Sequence, residues 1–449
     1  GRPLAVVVLA AGKGRRMQSD LPKVLHMIAG RSMLGHVLAT ARALAPERVA
    51  VVVGNGAEPV AAAARAAIAD VRICLQAEQR GTGHAVRMAE DALQGFEGDL
   101  LVLYADTPLI RPETLRRLLA ARGAVKVLGF ESADPGRYGR LVIEDGRLDR
   151  IVEAKDATEA ERAITACNSG VMAGDAATLL GLLSRITDDN AQGEFYLTDA
   201  PGLARADGLE ASAILCAEEE TLGINDRAEL ARAEAVFQTR ARQAAMLGGA
   251  TLIAPETVFL SHDTVLGRDV TVGPNVVLGP GVVVADGARI EAFCHLELTE
   301  IGPGAIVGPF ARLRGETVIG ADCRVGNFVE MKNVRFGDGA KARHLAYVGD
   351  TGVGAGANLG AGTVTCNYDG VDKHRTEIGE GAFIGTNSAL IAPVSVGAGA
   401  YVATGTVVTQ DIPPDALAIA RVPQVTKPGR AARLREMLAA RKALKTKTG

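Results

Sequence analysis

The segment 265–284, VLGRDVTVGPNVVLGPGVVV, has an aliphatic residue at every sixth position, usually followed by glycine. Runs with the same period extend to Leu296, from Ile301 to Met331 and from Ile378 to Val408. A small residue after an inward aliphatic side chain lets the chain bend sharply while the aliphatic side chain fills the interior. Three such hexads form one triangular coil, so the span 265–410 predicts about eight coils of a β-solenoid.

The alternative is a series of ordinary short strands in a β-sandwich. Sandwich strands are spaced irregularly and bury alternate residues, so the sustained six-residue phase favours the solenoid. The phase is interrupted at 334–346 and at 366–376, CNYDGVDKHRT. We expect outward loops at both interruptions and a functional site near them, because repeat proteins often place function on insertions.

Residues 4–225 follow a different pattern, in which short β-branched runs alternate with helical stretches. Strands are predicted at 5–10, 49–53, 71–75, 99–104 and 125–130, and helical stretches at 33–44, 57–68 and 83–93. This alternation predicts a mostly parallel sheet with helices on both faces. The predicted organisation is a domain at 1–225, a linker helix at 226–250 with Asp226 as its N-cap, a solenoid domain at 251–428 and a basic tail at 429–449.

Composition excludes several classes of function. The 449 residues carry a formal net charge of -3, which gives no general attraction to nucleic acid or to an anionic membrane. The six cysteines have no CxxC or metal-like spacing, as is typical of reduced thiols in the cytoplasm. No apolar run approaches transmembrane length, and the first residues do not resemble a secretory signal. We therefore expect a cytoplasmic protein with small-molecule partners, no nucleic acid and no membrane insertion.

The loop LAAGKGRRM, residues 9–17, combines glycines with basic residues directly after an apolar strand. It does not match the dinucleotide pattern GxGxxG, because Met17 stands at the last small position, and it does not match GxxxxGK[ST]. Backbone N–H groups around Gly12 and Gly14 could surround phosphate oxygens. Positive charge would come from Lys13, Arg15, Arg16 and Lys23. The loop predicts a phosphate site, and the alternative is a solvated basic loop.

A second segment, LVLYADTPL at 101–109, places Asp106 just after an apolar strand. Open α/β sheets bind ligands at this carboxyl edge, and Mg²⁺ prefers one or two carboxylates together with phosphate oxygens. Asp106 is therefore a candidate magnesium ligand, and the alternative is an N-cap for a helix beginning near Arg111. The segment QAEQRGTGHA at 76–85 supplies amide groups and a glycine turn suited to a base edge and a ribose.

These motifs resemble the sugar-1-phosphate nucleotidyltransferases. Nearly the whole chain is similar to the bacterial bifunctional N-acetylglucosamine-1-phosphate uridylyltransferases/glucosamine-1-phosphate N-acetyltransferases. The resemblance implies an α/β Rossmann-like nucleotidyltransferase domain followed by a left-handed parallel β-helix (hexapeptide-repeat) domain. It implies that the second domain acetylates glucosamine-1-phosphate with acetyl-CoA and that the first transfers uridylyl from UTP to N-acetylglucosamine-1-phosphate, releasing pyrophosphate. The product would be UDP-N-acetylglucosamine for cell-envelope synthesis. Uridylyl transfer needs positioning and Mg²⁺ rather than a general base, since the sugar phosphate is already an anion.

The resemblance also implies the site residues of the first domain. Those expected at the nucleotide and its phosphates are Leu9, Ala10, Ala11, Gly12 and Lys23. Arg16 would assist at the pyrophosphate, and with Lys23 it is counted as catalytic. Uracil would be bound by Gln76, Gly81 and Thr82, with Tyr104 at the ribose. Asp106 and Asn225 would bind the metal. The N-acetylglucosamine moiety would contact Gly139, Glu153 and Asn168.

In the second half, His344 lies in the first interruption, fourteen residues after Glu330. A lone histidine is more often structural, but the resemblance implies that His344 is the general base that takes a proton from the 2-amino group, oriented by Glu330. Residues implied at the sugar phosphate or the reacting carbonyl are Arg314, Lys332, Tyr347, Asn358, Asn367, Tyr368 and Lys373. Those implied at acetyl-CoA are Ala361, Thr386, Thr404 and Arg421, with Thr386 in place of the family's usual serine.

The resemblance further implies a homotrimer with sites between subunits. Two alternatives remain: a monofunctional nucleotidyltransferase whose solenoid only assembles it, and a non-enzymatic scaffold with a degenerate pocket. The presence of Asp106, Lys23 and Asn225 argues against the scaffold, and His344 argues against the monofunctional enzyme. The basic tail is either a solvated amphipathic end or a lid over the anionic coenzyme.

Overall fold

The computed structural model describes residues 2–12 and 14–447. Its contacts divide the chain into two compact units. The first comprises Gly1–Val265 with Val277–Val282, and the second comprises Leu266–Val276 with Val283–Gly449. The domain limits proposed from the sequence stay predictions.

The first unit is built on a mixed sheet. Strands of this unit before the long helix are β1 (Leu4–Ala10), β2 (Met27–Ile28), β3 (Arg31–Ser32), β4 (Arg48–Gly54), β5 (Arg72–Gln76), β6 (Asp99–Tyr104), β7 (Val125–Glu131), β8 (Arg140–Glu144), β9 (Arg147–Val152), β10 (Ala166–Asp175) and β11 (Ala211–Cys216). The spatial order is β11-β7-β10-β6-β1-β4-β5. Neighbours are parallel except at β10, which is antiparallel to β6 and β7. Every predicted strand is confirmed. The strands that were not predicted are β2, β3, β8, β9, β10 and β11.

Helices cover both faces of this sheet. Along the chain they are α1 (Met33–Arg42), α2 (Glu58–Ala67), α3 (Thr82–Arg87), α4 (Pro112–Ala120), α5 (Glu159–Arg162), α6 (Ala176–Leu183), α7 (Ala200–Ala206), α8 (Arg227–Leu247) and, in the second unit, α9 (Arg430–Lys447). Alternate residues of β1 enter two separate cores, with Val7 and Leu9 on one face and Val6 and Val8 on the other. This is the side-chain period of a strand buried on both faces.

The long helix α8 begins where its cap was predicted. The Oδ1 atom of Asp226 accepts hydrogen bonds from the N–H groups of Ala228 at 3.0 Å and Glu229 at 2.9 Å. A side chain that satisfies two of the first free N–H groups fixes the start of a helix. Gly248 is the C-cap, as the Gly248-Gly249 pair predicts.

Very short strands follow α8. They are β12 (Thr251–Leu252), β13 (Phe259–Leu260), β14 (Val265–Leu266), β15 (Thr271–Val272), β16 (Val277–Leu278), β17 (Val282–Val284), β18 (Arg289–Ile290), β19 (His295–Leu296), β20 (Thr299–Ile301), β21 (Ile306–Val307), β22 (Arg312–Arg314), β23 (Thr317–Ile319), β24 (Arg324–Asn327), β25 (Glu330–Phe336), β26 (Lys341–His344), β27 (Tyr347–Val353), β28 (Asn358–Leu359), β29 (Val364–Cys366), β30 (Thr376–Ile378), β31 (Phe383–Ile384), β32 (Ala389–Ile391), β33 (Val394–Val396), β34 (Tyr401–Val402), β35 (Val407–Val408) and β36 (Leu417–Ala418).

In the second unit these strands stack in parallel, coil upon coil. One stack runs β15-β18-β21-β24-β26-β28-β31-β34-β36. Inward positions of successive coils pair and are buried: Val272, Ile290, Val307, Val325, Ala342, Leu359, Ile384 and Val402. The predicted solenoid is therefore confirmed, and the six-residue phase marks its interior.

The two interruptions of the phase differ in structure. Leu359 and Ile384 pair across 25 residues, whereas the other steps of this stack take 16 to 18. The extra residues form the predicted loop around 366–376. The expectation of a loop at 334–346 is wrong, because Val325 pairs with Ala342 after an ordinary coil and His344 ends strand β26. There the phase changes because alanine replaces a large aliphatic residue. No helix among the residues described here is long and apolar enough to cross a membrane.

Candidate functional sites

A cavity of about 300 Å³ opens at the carboxyl ends of β1, β5 and β6. Its lining includes ten residues predicted from the sequence, Leu9, Ala10, Ala11, Gly12, Lys23, Gln76, Gly81, Thr82, Tyr104 and Asp106. It also includes four that were missed, Val24, Gln79, Ala85 and Glu194. The sheet edge thus collects the phosphate loop, the 76–85 segment and the acidic residue in one place, as open α/β sheets do.

The floor of this cavity carries a charged contact. The Nζ atom of buried Lys23 lies 2.6 Å from Oδ2 of Asp106 and 3.3 Å from Oδ1 of Asn225. The capping alternative for Asp106 is wrong, because the N-cap of α4 is Arg111 and no side chain caps that helix. Asp106 is therefore directed at the cavity rather than at a helix end.

Asn225 is oriented by a residue that sequence reasoning missed. Oε2 of Glu229 accepts hydrogen bonds from the backbone N–H of Asn225 at 2.6 Å and from its Nδ2 at 3.1 Å. Because the Nδ2 group is engaged there, Oδ1 faces Lys23. Glu229 stands three residues after the cap Asp226, so the capping-box spacing in the sequence was a usable signal.

Asp106 and Asn225 suit a divalent cation. Among residues 2–12 and 14–447 there is no cluster of three or more His, Cys, Asp and Glu side chains that could bind a metal. Mg²⁺, however, needs only one or two protein carboxylates when substrate phosphates and water complete its shell. Oxygens of Asp106 and Asn225 already converge on one positive charge, the Lys23 ammonium. The donor set therefore fits the ion.

The end of the cavity near β5 is rich in hydrogen-bonding groups. Nε2 of buried Gln76 donates to the carbonyl oxygen of Gly81 at 3.1 Å and lies 3.0 Å from Nδ1 of His84. Gly81 has a φ of 106°, and a Cβ there would lie 2.6 Å from the carbonyl oxygen of Phe195, so only glycine fits. Gln79 donates to the carbonyl oxygen of Ala11 and joins this segment to the phosphate loop.

Tyr104 forms the wall between the two ends of the cavity. Burial raises the pKa of its hydroxyl well above the ordinary value, while a hydrogen bond with Thr82 acts in the opposite direction. Its ring packs over Gly170, whose φ is 91° and where a Cβ would lie 2.8 Å from the ring. The hydroxyl therefore stays neutral and can donate a hydrogen bond.

The three residues expected at the sugar also meet, outside the lining of the first cavity. Asn168 donates its backbone N–H to Gly139 at 2.8 Å, at an irregularity of β10. A Cβ on Gly139 would be 3.6 Å from both Asn168 and Oε1 of Glu153. Oε1 of Glu153 accepts a hydrogen bond from Thr198 at 2.9 Å. These groups can therefore bind one polar ligand together.

Carboxyl groups in this region are hard to ionise. Burial raises the pKa of Glu153. Burial, followed by the charges of Glu153 and Asp156, raises the pKa of Asp199 to about 6. Removing water penalises a carboxylate unless a donor compensates for it. A ligand that offers hydroxyl or amide N–H groups would relieve this penalty.

Arg16 of the phosphate loop is not among the residues that line the cavity. Arg16 is exposed in a single 3-10 turn, Arg15–Met17. Lys13 lies outside the described residues. The structure therefore leaves the role of Arg16 at the pyrophosphate as a prediction.

His344 lines a second cavity of about 310 Å³ in the β-helix, with Asn327, Arg324 and Arg343 among its neighbours. The imidazole is exposed, and its Nδ1 lies 2.9 Å from Oδ1 of Asn327. Glu330 does not make the expected contact with the imidazole in this chain. Its Oε1 instead accepts hydrogen bonds from Arg314, at 3.0 Å from Nε and 2.8 Å from Nη2. Asn327 was missed, although it precedes His344 by one coil of 17 residues.

Basic residues gather on the neighbouring face of the coils. Arg314 and Lys332 are paired in register on β22 and β25. A hydrogen bond with Lys373, together with its charge, lowers the pKa of Lys332. Two ammonium groups this close repel each other unless an anion lies between them. The three cations can therefore bind an anionic group together.

Several other predicted residues lie beside this cluster. Burial raises the pKa of Asp350, but hydrogen bonds from Asn333 and Asn367 hold it below the ordinary value. Tyr347 pairs in register with Glu330. Tyr368 donates to the carbonyl oxygen of Gly370 within the inserted loop, and Asn358 lies on β28 in the other stack. The structure therefore groups Arg314, Glu330, Lys332, Tyr347, Asn367 and Lys373. Tyr368 is bridged to Lys373 in the inserted loop, and Asn358 lies in a separate stack.

The residues predicted at acetyl-CoA follow one edge of the β-helix. Carbonyl oxygens of Ala361 and Thr386 accept hydrogen bonds at 2.8 Å from Asn387 and Gly405 of the next coil. The carbonyl oxygen of Thr404 accepts one at 2.7 Å from Nη1 of Arg421. Equivalent corners of successive coils thus align Ala361, Thr386 and Thr404 in a row, and Arg421 is bonded to the last of them. Beyond this row the described side chains of α9 are exposed.

Comparison with known proteins agrees with this architecture. Residues 6–170 match the MobA-like NTP transferase domain, and residues 263–297, 299–333 and 375–410 match the bacterial transferase hexapeptide family. The chain is 59% identical over 448 residues to the bifunctional protein GlmU of Cereibacter sphaeroides strain ATCC 17025, covering 99% of each chain. It is 57% identical to the bifunctional protein GlmU of Ruegeria sp. strain TM1040, again covering 99% of each. The chain belongs to the GlmU family.

Membership in the GlmU family confirms the predicted fold class, a Rossmann-like nucleotidyltransferase domain followed by a left-handed β-helix. It also confirms both predicted activities, acetyl transfer from acetyl-CoA to glucosamine-1-phosphate and uridylyl transfer from UTP to N-acetylglucosamine-1-phosphate. The monofunctional and scaffold alternatives are therefore wrong. Azorhizobium caulinodans also has a GlmU relative, 58% identical over 437 residues, covering 97% of this chain and 98% of that protein.

Proposed function

We propose that uridylyl transfer takes place in the cavity around Asp106 and that acetyl transfer takes place around His344. The observation that carries the first assignment is the convergence of Asp106 and Asn225 on the Lys23 ammonium. The observation that carries the second is the imidazole of His344, which makes one hydrogen bond beside a group of cations. Each assignment uses residues of one compact unit.

The first cavity and the group of Gly139, Glu153 and Asn168 outside its lining would position two anions for in-line attack. Backbone groups of residues 9–12 hold the nucleotide phosphates, Gln76 and Gly81 hold the uracil, and Tyr104 donates toward the ribose. Glu153 and Asn168 bind hydroxyl and amide groups of N-acetylglucosamine-1-phosphate. Holding both reactants in attack geometry removes most of the entropic barrier. The supporting observation is that the lining of one cavity contains ten of the predicted residues.

Asp106 and Asn225 would hold Mg²⁺, which neutralises charge on the triphosphate and the departing pyrophosphate. Lys23 would then shift its ammonium from Asp106 to a phosphate oxygen. Since the Lys23 side chain is already buried at this point, little ordering is needed for that change. Arg16 would approach the pyrophosphate from its exposed turn.

In the second site, His344 takes a proton from the neutral 2-amino group of glucosamine-1-phosphate as the nitrogen attacks the thioester carbonyl, and the imidazolium then gives that proton to the departing sulfur. The C–N bond forms and the C–S bond breaks, so the acetyl group moves to nitrogen and the thiol of CoA leaves. Arg314, Lys332 and Lys373 hold the phosphate, with Glu330 fixing Arg314. Tyr347, Asn358, Asn367 and Tyr368 would contact the sugar and the carbonyl, and Ala361, Thr386, Thr404 and Arg421 would contact the coenzyme.

We also propose that the enzyme is a cytoplasmic homotrimer. Its β-helix carries an exposed apolar ladder, defined as Phe293, Phe310, Phe328 and Leu345. The ring centroids of the phenylalanines lie 4.8 and 5.3 Å apart. Contiguous exposed aromatic residues favour burial against another molecule, and this ladder ends beside His344. A second copy on the ladder would therefore adjoin the acetyltransferase site.

Single substitutions that remove one activity and leave the other test the assignment of the two sites. Asp106→Ala should remove UTP-dependent pyrophosphate release and leave acetyl transfer, and His344→Ala should do the reverse. Mixing the two purified variants should restore conversion of glucosamine-1-phosphate to UDP-N-acetylglucosamine, because the intermediate can diffuse between sites. Normal acetylation by His344→Ala would show that the base is assigned wrongly.

A further inference from the structure

The position of Asn327 gives the imidazole of His344 a defined partner. Asn327 ends strand β24 and His344 ends strand β26, and the two residues are paired in register on adjacent coils. Side chains at paired positions of parallel strands point to the same face. The 2.9 Å contact between Oδ1 of Asn327 and Nδ1 of His344 is thus set by the backbone stack.

This contact determines which ring nitrogen carries the proton. A carboxamide oxygen accepts hydrogen bonds and cannot donate them, so Nδ1 must bear the hydrogen. In a neutral imidazole the other nitrogen, Nε2, then holds the lone pair that a general base requires. The carboxylate expected to orient the imidazole, Glu330, is instead engaged by two nitrogens of Arg314.

We propose that Asn327 is the positioning residue that fixes the tautomer of His344 for acetyl transfer. This proposal rests on the proposed role of His344 as general base. A neutral amide holds the ring without the charge that a carboxylate would add, and a carboxylate would favour the protonated imidazolium, which cannot act as a base. Removing the residue that holds the second nitrogen of a metal-ligating histidine typically costs about 10 to 100-fold in activity, and we expect a loss of the same order here.

Other groups around the imidazole are cationic. Arg324 of β24 and Arg343 of β26 line the same cavity. Nη1 of Arg324 donates to the carbonyl oxygens of Gly304, Asp322 and Cys323, which holds its charge near its own coil. The cavity that His344 lines therefore carries two guanidinium groups, and the side chain that contacts the imidazole, Asn327, is neutral.

A purely structural role for Asn327 can be separated from this one. Its backbone carbonyl oxygen accepts a hydrogen bond from Leu345 at 3.0 Å, and any residue at this position retains that bond. Asn327→Ala should therefore keep the coil intact. Arg289→Ala is the control, since Arg289 is an outward residue of the same stack two coils earlier.

The test combines ¹⁵N NMR of the full-length enzyme, labelled at histidine, with steady-state kinetics. The His344 resonances are identified as those that are lost in the His344→Gln variant. We expect the Nδ1–H tautomer in the unmodified enzyme, mixed tautomers in Asn327→Ala, and a loss of about 10 to 100-fold in acetyltransferase kcat with little change in KM. Uridylyl transfer by Asn327→Ala should be unchanged. Arg289→Ala should retain both the tautomer of His344 and the acetyltransferase kcat. Asn327→Asp should retain Nδ1–H and move the acidic limb of the pH profile by about one unit to higher pH.

Two results would overturn the proposal: an unchanged tautomer in Asn327→Ala, or an unchanged kcat despite mixed tautomers. Either result with an inactive His344→Ala variant would leave the general base assignment standing. An active His344→Ala variant would instead remove the proposed function on which the inference rests.

Discussion

The carboxylate of Glu229 accepts both the backbone N–H and the side-chain amide of Asn225, at 2.6 and 3.1 Å. Glu229 belongs to the first turn of α8, whereas Asn225 is one residue ahead of the helix cap. The start of the helix therefore fixes a proposed metal ligand through a residue that is not itself a proposed ligand.

Replacing Glu229 with alanine should release the Asn225 side chain. We expect uridylyl transfer to fall about 10 to 100-fold and the half-saturating Mg²⁺ concentration to rise, because an unheld amide must be ordered when the ion binds. Pyrophosphate release measured across a Mg²⁺ titration checks this, with acetyl transfer as the internal control. An unchanged Mg²⁺ dependence would mean that Asn225 needs no support or is not a ligand.

Replacing Lys23 with methionine should have the opposite effect on the metal. The competing cation is lost, so Mg²⁺ should bind Asp106 at least as tightly, whereas kcat/KM for UTP should fall about 100-fold through lost phosphate neutralisation. Calorimetric Mg²⁺ titration and UTP kinetics measure the two quantities separately, and Lys23→Arg retains the charge as a control. Weaker Mg²⁺ binding in Lys23→Met would contradict the proposed arrangement.

Asp199 should make stability depend on pH. Its folded pKa of about 6 lies above the ordinary value of 3.8. Between these two values the unfolded chain releases a proton that the folded chain retains, so this group's contribution to stability falls as pH rises from about 4 to 6. Asp199→Asn should raise the free energy of unfolding at pH 7.5 by about 1.5 kcal/mol, a value already reduced because the side chain is partly exposed. Near pH 4 the substitution should have little effect. Denaturant titrations at both pH values measure this, and equal effects would contradict it.

Phe328→Lys should disrupt the proposed contact between copies. The Phe328 side chain is 55% exposed in one chain. A lysine in a buried aromatic contact is unfavourable, so light scattering should report a smaller assembly and acetyl transfer should fall while uridylyl transfer persists. Leu247→Lys, at an 82% exposed position at the end of α8, is the matched control. An unchanged assembly would place the interface elsewhere.

Sequence periodicity predicted the parts of the fold that repeat. The inward row from Val272 to Val402 follows from hexad spacing alone, and β1 follows from its apolar run. Strand β10 could not be oriented in this way, because its direction depends on contacts with β6 and β7. The loop expected at 334–346 failed because a small inward residue, Ala342, looks like a lost repeat in the sequence.

The site was predictable where one motif supplied the residue. Lys23 and Asp106 stand in recognisable segments, and they do meet. Glu153 and Asp199 are 46 residues apart, and only the folded chain reveals that their charges interact. Asn327 was missed because finding it requires the coil length, which the six-residue period gives only after the register of each coil is known.

The carbonyl oxygens of Ala361, Thr386 and Thr404 repeat at a regular interval along the β-helix, because neighbouring coils are separated by about 4.8 Å. The length of a ligand that extends along this edge must therefore match a whole number of coils. Removing one complete coil would leave the remaining contacts chemically unchanged, but it would displace the reactive end of a long coenzyme from the imidazole by the spacing of one coil.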